Sequence, residues 1–296
     1  MARINRAIEL LARGEVLYYT SPGELTYENG RAQAATWADF LLVDFEHYAF
    51  DVVGLTAFMR GLVDGGPLPD GFRTPTVIAT LPANCRTRAE VEANAWQIRQ
   101  VLSAGVHGVL HTHARSPEAV RAFVEHCRYP FQTTGVGEGL ERGERGSGGQ
   151  ARPAEIWGVE VHGYLRIADP WPLNPEGELL LGLKMEDRQA VANARAIASV
   201  PGIAFAEWGP GDMGMAYGYL DAHDPPYPPE LDAARRTIKA ACDAAGLAFL
   251  CSWNDPNRTT EENIRTLLAD GVRIISGASE EAARIGRAIT GREMRA

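Results

Sequence analysis

The 296-residue sequence predicts an α/β chain folded as a single (β/α)8 TIM barrel, and three observations carry that expectation. Short apolar runs rich in strand-forming residues alternate with longer amphipathic stretches. Eight such runs occur. No G-x-G-x-x-G turn follows the first of them, which disfavours the competing doubly wound open sheet. The runs are Val16–Thr20, Phe40–Phe45, Thr76–Leu81, Gly108–His113, Leu179–Met185, Ile203–Trp208, Leu247–Trp253 and Val272–Ser276. The stretches between them carry apolar residues at helical i, i+3/i+4 spacing, as in Val91/Ala95/Ile98/Leu102 and Leu231/Ala234/Ile238/Ala241/Ala245.

One domain over 1–296 is expected, interrupted between the fourth and fifth strands by a long segment, 130–178. Its first half, GEGLERGERGSGGQARP, reads as a flexible Gly-rich insertion. Its second half contains IWGVEVHGYL and reads as an ordered piece packed over a barrel mouth or a neighbouring subunit, a lid in the sense that long connections often are.

Composition narrows the class of function. The net charge of -9 argues against a nucleic-acid partner, because phosphate binding needs a basic surface. The four cysteines, Cys85, Cys127, Cys242 and Cys251, form no C-x-x-C pair and no regular framework, which points to a reducing cytoplasm. The amphipathic MARINRAIELLARGE is not a signal peptide, and no run of about 18 apolar residues predicts a membrane span.

Active sites of such barrels lie at the carboxyl ends of the strands. Strand two ends in Asp44-Phe45-Glu46-His47, strand four in His111-Thr112-His113, strand five in Lys184-Met185-Glu186-Asp187, and strand six in Glu207-Trp208-Gly209-Pro210-Gly211-Asp212. Asp44 ends the apolar run FLLVDF, where a carboxylate needs a partner to offset its desolvation. Glu186, Asp187 and Asp212 have an alternative reading as carboxylates that cap helices. Carboxylates from adjacent strands, without cysteine, suit a hard divalent ion such as Mg2+ or Mn2+. The H-x-H pair His111/His113 offers a second class of function, a metal-dependent hydrolase, since i and i+2 share a face on a strand. A third class is a small-molecule binding barrel without catalysis. Lys184 reads as a cation beside the site, as a Schiff-base nucleophile, or as an ion-pair partner of Glu207.

The run VDFEH resembles the D-x-E-H segment of the HpcH/HpaI family of class II pyruvate aldolases, which includes 4-hydroxy-2-oxoheptanedioate and 2-dehydro-3-deoxyglucarate aldolases. Similar stretches follow in order: VLSAGVHGVLHTHARSPEAV, CRYP with GVG, LKMED, VPGIAFAEWGPGDMGMAYGY, DAAGLAFLCSWNDP and ADGVRIISGASE. The resemblance implies a phosphoenolpyruvate/pyruvate-type barrel. It implies a carbon–carbon lyase that interconverts a hydroxy-2-oxo acid with pyruvate, or a related 2-oxo acid, and an aldehyde. A divalent metal (Mg2+, Mn2+ or Co2+) would stabilise the enolate. Glu186 and Asp212 are then the metal ligands, and Asp44 and His47 orient a metal-bound water that acts as general base. Trp208, Gly209, Pro210 and Gly211 would line the substrate. A homo-oligomer, trimer or hexamer, with an exchanged C-terminal helix is also implied, as is a role in aromatic compound catabolism.

The chain departs from that family in identifiable places. The third strand, TVIATLPAN, lacks the family's arginine, and Lys184 stands for its glutamine. Thr134-Gly135 stands for its Arg-Gly. His111 and His113 replace a proline and an apolar residue, and are expected beside the substrate. The missing positive charge is expected to be supplied by Lys184 or Arg86.

Overall fold

The computed structural model describes residues 3–292. Eight parallel strands close into a barrel: Leu17–Thr20, Phe40–Val43, Thr76–Asn84, Gly108–Thr112, Leu179–Lys184, Phe205–Glu207, Ala248–Cys251 and Ile274–Ile275. Each pairs with the next in sequence, and the ring closes where Leu17 meets Ile274. All eight correspond to runs expected from the sequence. A two-residue strand, Pro170–Trp171, adds to the outside of Leu179–Lys184.

The alternation of side chains explains how the barrel fills. One residue from each strand points inward to form a packed layer: Leu17, Phe40, Ile78, Leu110, Leu180, Phe205, Leu250 and Ile274. The helix Arg6–Ala12 presses Ala7, Ile8, Leu10 and Leu11 onto the amino-terminal end of this layer. Gly182 leaves room for the Phe205 ring, which a Cβ there would overlap. The other face of each strand packs against the surrounding helices in a second, larger core that includes Val109, Leu181, Leu183 and Ala206.

The 130–178 segment lies at the amino-terminal end of the barrel. Its position follows from connectivity. The helix Pro117–Cys127, capped by Ser116 and started by Pro117, carries the chain from the carboxyl end of the fourth strand back to the opposite end before the segment begins. There it forms the helices Ala151–Trp157 and Val161–Ile167. Trp157 donates to the Gly105 carbonyl at 3.0 Å and stacks on His107, just before the fourth strand. The Gly-rich half has no regular structure but is tied down: Arg145 donates to Tyr164, and the Glu144 and Arg145 amides donate to the carbonyls of Glu125 and Arg128. A buried Arg128–Asp169 ion pair at 2.7 Å spans the segment. The last described helix, Glu280–Thr290, returns to its own barrel, where Gly286 admits the Tyr18 hydroxyl and Arg287 pairs with Asp39 at 2.9 Å.

Candidate active site

The inward parity of the fifth strand, Leu180 and Gly182, continues through Lys184 to Glu186. Both side chains therefore rise from the floor of the barrel at its carboxyl end. Glu207 continues the inward parity of Phe205 in the same way. Asp212 enters from the first turn of the helix Pro210–Tyr217. Gly209 precedes that helix because the Glu186 carboxylate occupies the space a Cβ would need.

Helix capping is the task of Asp187 rather than Glu186. Asp187 accepts from the Gln189 and Ala190 amides at 2.8 Å and pairs with Arg115. Glu186 is 2% exposed and its Oε2 has no hydrogen-bond partner. Glu207 Oε2 is buried and equally unpartnered. An ionised carboxylate in that state is costly. Burial accordingly pushes the Glu186 pKa well above the ordinary carboxylate range; the charges of Glu207, Glu46 and Asp212 add to the rise, and Lys184 opposes it. Glu207 is raised for the same reasons.

The turn after the second strand supplies the other half. Asp44 accepts from the Glu46 and His47 amides at 2.9 and 3.1 Å and faces His47 Nδ1 at 2.8 Å. Burial alone would raise its pKa, but the hydrogen bonds from His47 and the turn amides outweigh it and hold Asp44 below its ordinary value. An ionised Asp44 fixes the proton on Nδ1 and leaves Nε2 of this exposed imidazole as the basic nitrogen. Thr80, inward on the third strand, anchors the turn by accepting from the Phe45 and Glu46 amides at 2.7 and 3.1 Å.

Glu46 joins the two halves. Its Oε2 accepts from Lys184 Nζ at 2.5 Å, and its Oε1 lies 3.4 Å from His113 Nε2. Lys184 Nζ also lies 3.6 Å from Glu186 Oε1. Desolvation would lower the lysine pKa, yet the surrounding Glu207, Glu186 and Glu46 outweigh it and raise it above the ordinary value. Its ion-pair partners are Glu46 and, at the longer distance, Glu186 rather than Glu207. Donor atoms of Glu46, His113, Glu186 and Asp212 all fall within 4.8 Å of one another, as do those of Asp44, Glu46 and His47.

Three residues expected beside the substrate stand elsewhere. His111 has outward parity, is 2% exposed and packs edge-on against Phe123, so it lies behind the strand. His113 would share that face but adopts a left-handed backbone (φ 46°) that turns its ring inward, so the H-x-H pair is split across the sheet. Trp208 is fully buried on the outer face against Tyr227. Arg86 is exposed and bound to Glu90 in the next helix. Gly209, Pro210 and Gly211 do border the cluster, as the start of the Asp212 helix. Glu46 and Glu207 stand in the strand ends named from the sequence but carry no site role there, and Thr80 is not named there at all.

A profile of the family described as HpcH/HpaI aldolase/citrate lyase matches residues 74–283. The chain belongs to this family. It is 30% identical over 225 residues to a hydroxypyruvate/pyruvate aldolase of Chromohalobacter salexigens, covering 74% of this chain and 78% of that protein. It is 29% identical over 226 residues to a 2-keto-3-deoxy-L-rhamnonate aldolase of Klebsiella pneumoniae, covering 74% and 77%. A crystal structure of an HpcH/HpaI aldolase/citrate lyase family protein from Burkholderia cenocepacia superposes with a TM-score of 0.71 at 20% identity over 96% of both chains. The barrel and the carbon–carbon lyase family expected from the sequence are thereby both found.

Proposed function

We propose that the protein is a class II aldolase that cleaves or forms a hydroxy-2-oxo acid, with pyruvate or a close relative such as hydroxypyruvate as one product and an aldehyde as the other. The observation that carries this reading is the meeting of Glu46, His113, Glu186 and Asp212 beside the Asp44–His47 pair.

A divalent cation fits the donor set. Glu46, Glu186 and Glu207 surround the ammonium of Lys184, the charge of Asp212 acts on both Glu186 and Glu207, and the buried Glu186 Oε2 has no hydrogen-bond partner. Glu186 and Asp212 would hold the ion, which is Mg2+, Mn2+ or Co2+. When bound, such a cation acts as a Lewis acid toward the oxygens of a 2-oxo acid and stabilises enolate charge.

The chain's own groups do the rest. His47 Nε2 takes the proton of the aldol hydroxyl as the carbon–carbon bond breaks and its electron pair passes into the enolate; returning a proton to the enolate carbon gives the 2-oxo acid. Asp44 holds the imidazole in the tautomer this needs. The first turn of the helix Pro210–Tyr217 presents free amides to the substrate carboxylate. Lys184 adds a positive charge at the site's edge and positions Glu46. The outward His111 removes the basis for the hydrolase reading.

The reading extends to a homo-oligomer, trimer or hexamer, working in the cytoplasm, with which four free buried thiols agree. Among the described residues no helix is long and apolar enough to cross a membrane. Chelation followed by cation add-back tests the proposal. Glu186→Gln and Asp212→Asn are expected to lose cation retention and aldol activity together while staying folded. Full occupancy in both variants would refute the ligand assignment, and a wild-type protein that binds 2-oxo acids without turnover would point to a binding barrel.

A further inference from the structure

His113 is the sole non-glycine residue among those described with a positive φ. A left-handed backbone is unfavourable for an L-residue, and here it reverses the outward direction that strand parity would give. The turned ring stands between two carboxylates. Its Nδ1 lies 3.6 Å from Glu186 Oε2 and its Nε2 lies 3.4 Å from Glu46 Oε1. Both separations are long for hydrogen bonds, so the imidazole is aimed at two acceptors without being satisfied by either. Two donors that share one ion at bonds of about 2.1 Å stand about 3.0–3.4 Å apart, close to these spacings. The neighbouring Glu186 Oε2 is itself buried and unpartnered.

We propose that His113 is a nitrogen ligand of the cation site, binding through Nδ1 beside Glu186 with Nε2–H directed at Glu46. An all-oxygen donor set suits Mg2+, whereas an imidazole nitrogen favours first-row transition ions. His113 therefore tilts the site from Mg2+ toward Mn2+ and Co2+. Glu46, pinned by Lys184, takes the role of the carboxylate that orients a ligating histidine through its second nitrogen. This inference rests on the reading that Glu186 and Asp212 hold a divalent cation.

The test is binding and spectroscopy on the full chain, stripped of metal and reloaded with Mn2+ or Mg2+ alone. Pulsed electron paramagnetic resonance of the Mn2+ complex is expected to show imidazole nitrogen coupling that changes on 15N-histidine labelling, persists in His47→Gln and vanishes in His113→Gln. By titration calorimetry, His113→Gln is expected to lose at least about tenfold in Mn2+ affinity and less than about threefold in Mg2+ affinity. If His113→Gln does not fold, nitrogen coupling kept in His47→Gln still identifies His113, because among the described residues no other imidazole belongs to the cluster of Glu46, His113, Glu186 and Asp212. Tight Mn2+ binding without nitrogen coupling overturns the role of His113 and leaves Glu186 and Asp212 as ligands. Equal losses for both ions in a folded His113→Gln also overturn it, and a wild-type chain that binds neither ion overturns the cation reading together with it.

Discussion

Replacing Lys184 with Met removes a buried ammonium from among Glu46, Glu186 and Glu207 while keeping an unbranched chain of similar length. The ammonium lies 2.5 Å from one carboxylate oxygen and 3.6 Å from another, and the lysine is 7% exposed. Breaking a buried ion pair from one side costs about 3–5 kcal/mol, because the remaining charge stays buried without compensation. For a chain of this size, each kcal/mol lowers the midpoint by about 2 °C, so the metal-free variant should melt about 6–10 °C below the wild type. A bound divalent cation supplies positive charge to the same carboxylates, so the deficit should shrink when Mn2+ is present at saturation. Circular-dichroism melts of both proteins, with chelator and with Mn2+, measure both quantities. Turnover in the loaded variant should fall more than about tenfold, a loss above about 1.4 kcal/mol. A metal-free deficit under about 2 °C, less than about 1 kcal/mol at that slope, or a deficit that Mn2+ leaves unchanged, would refute the electrostatic account of Lys184.

Two further outcomes follow from the same geometry. His47→Ala should lose roughly 10²–10⁴-fold in turnover with cation affinity intact, and steady-state kinetics beside calorimetry check both; an unchanged turnover would make the Asp44–His47 pair structural. His111 is buried, and desolvation pushes its pKa down from 6.5 to about 3. The unfolded chain therefore takes up a proton below pH 6.5 that the folded chain refuses until about pH 3, so stability is full above the unfolded value and falls as pH drops through this window. His111→Leu should flatten that fall by up to about 1.4 kcal/mol per pH unit while leaving turnover unchanged, as denaturant titrations at pH 7.5 and 5.0 and an activity assay would read. An unflattened fall, or lost activity, would contradict the placement of His111 behind the strand.

What the sequence disclosed depended on periodicity. The barrel strands were legible because buried parallel strands read as short apolar runs, and the parity of Leu180, Gly182, Lys184 and Glu186 carried over directly into the site. The two histidines were expected to share one face; with Leu110 inward His111 is outward by alternation, and His113 reaches the site only because its backbone turns left-handed, of which a histidine gives no local signal. Glu46 lay in plain view within VDFEH, but its partner Lys184 is 138 positions away, a pairing that only the closed barrel creates. The position of 130–178 was more accessible. Ser116 and Pro117 mark a helix start, and counting that helix places the segment at the amino-terminal end rather than over the site.

The central claim is that this site makes an enolate from a 2-oxo acid, and the most direct measurement is proton exchange at the methyl group of pyruvate in D2O, followed by NMR. The account predicts exchange by the wild-type protein that chelation abolishes, Mn2+ or Co2+ restores, and His47→Ala and Glu186→Gln both lose. Absence of exchange with every divalent cation offered, for pyruvate and hydroxypyruvate alike, or exchange that continues undiminished in Glu186→Gln, would contradict it.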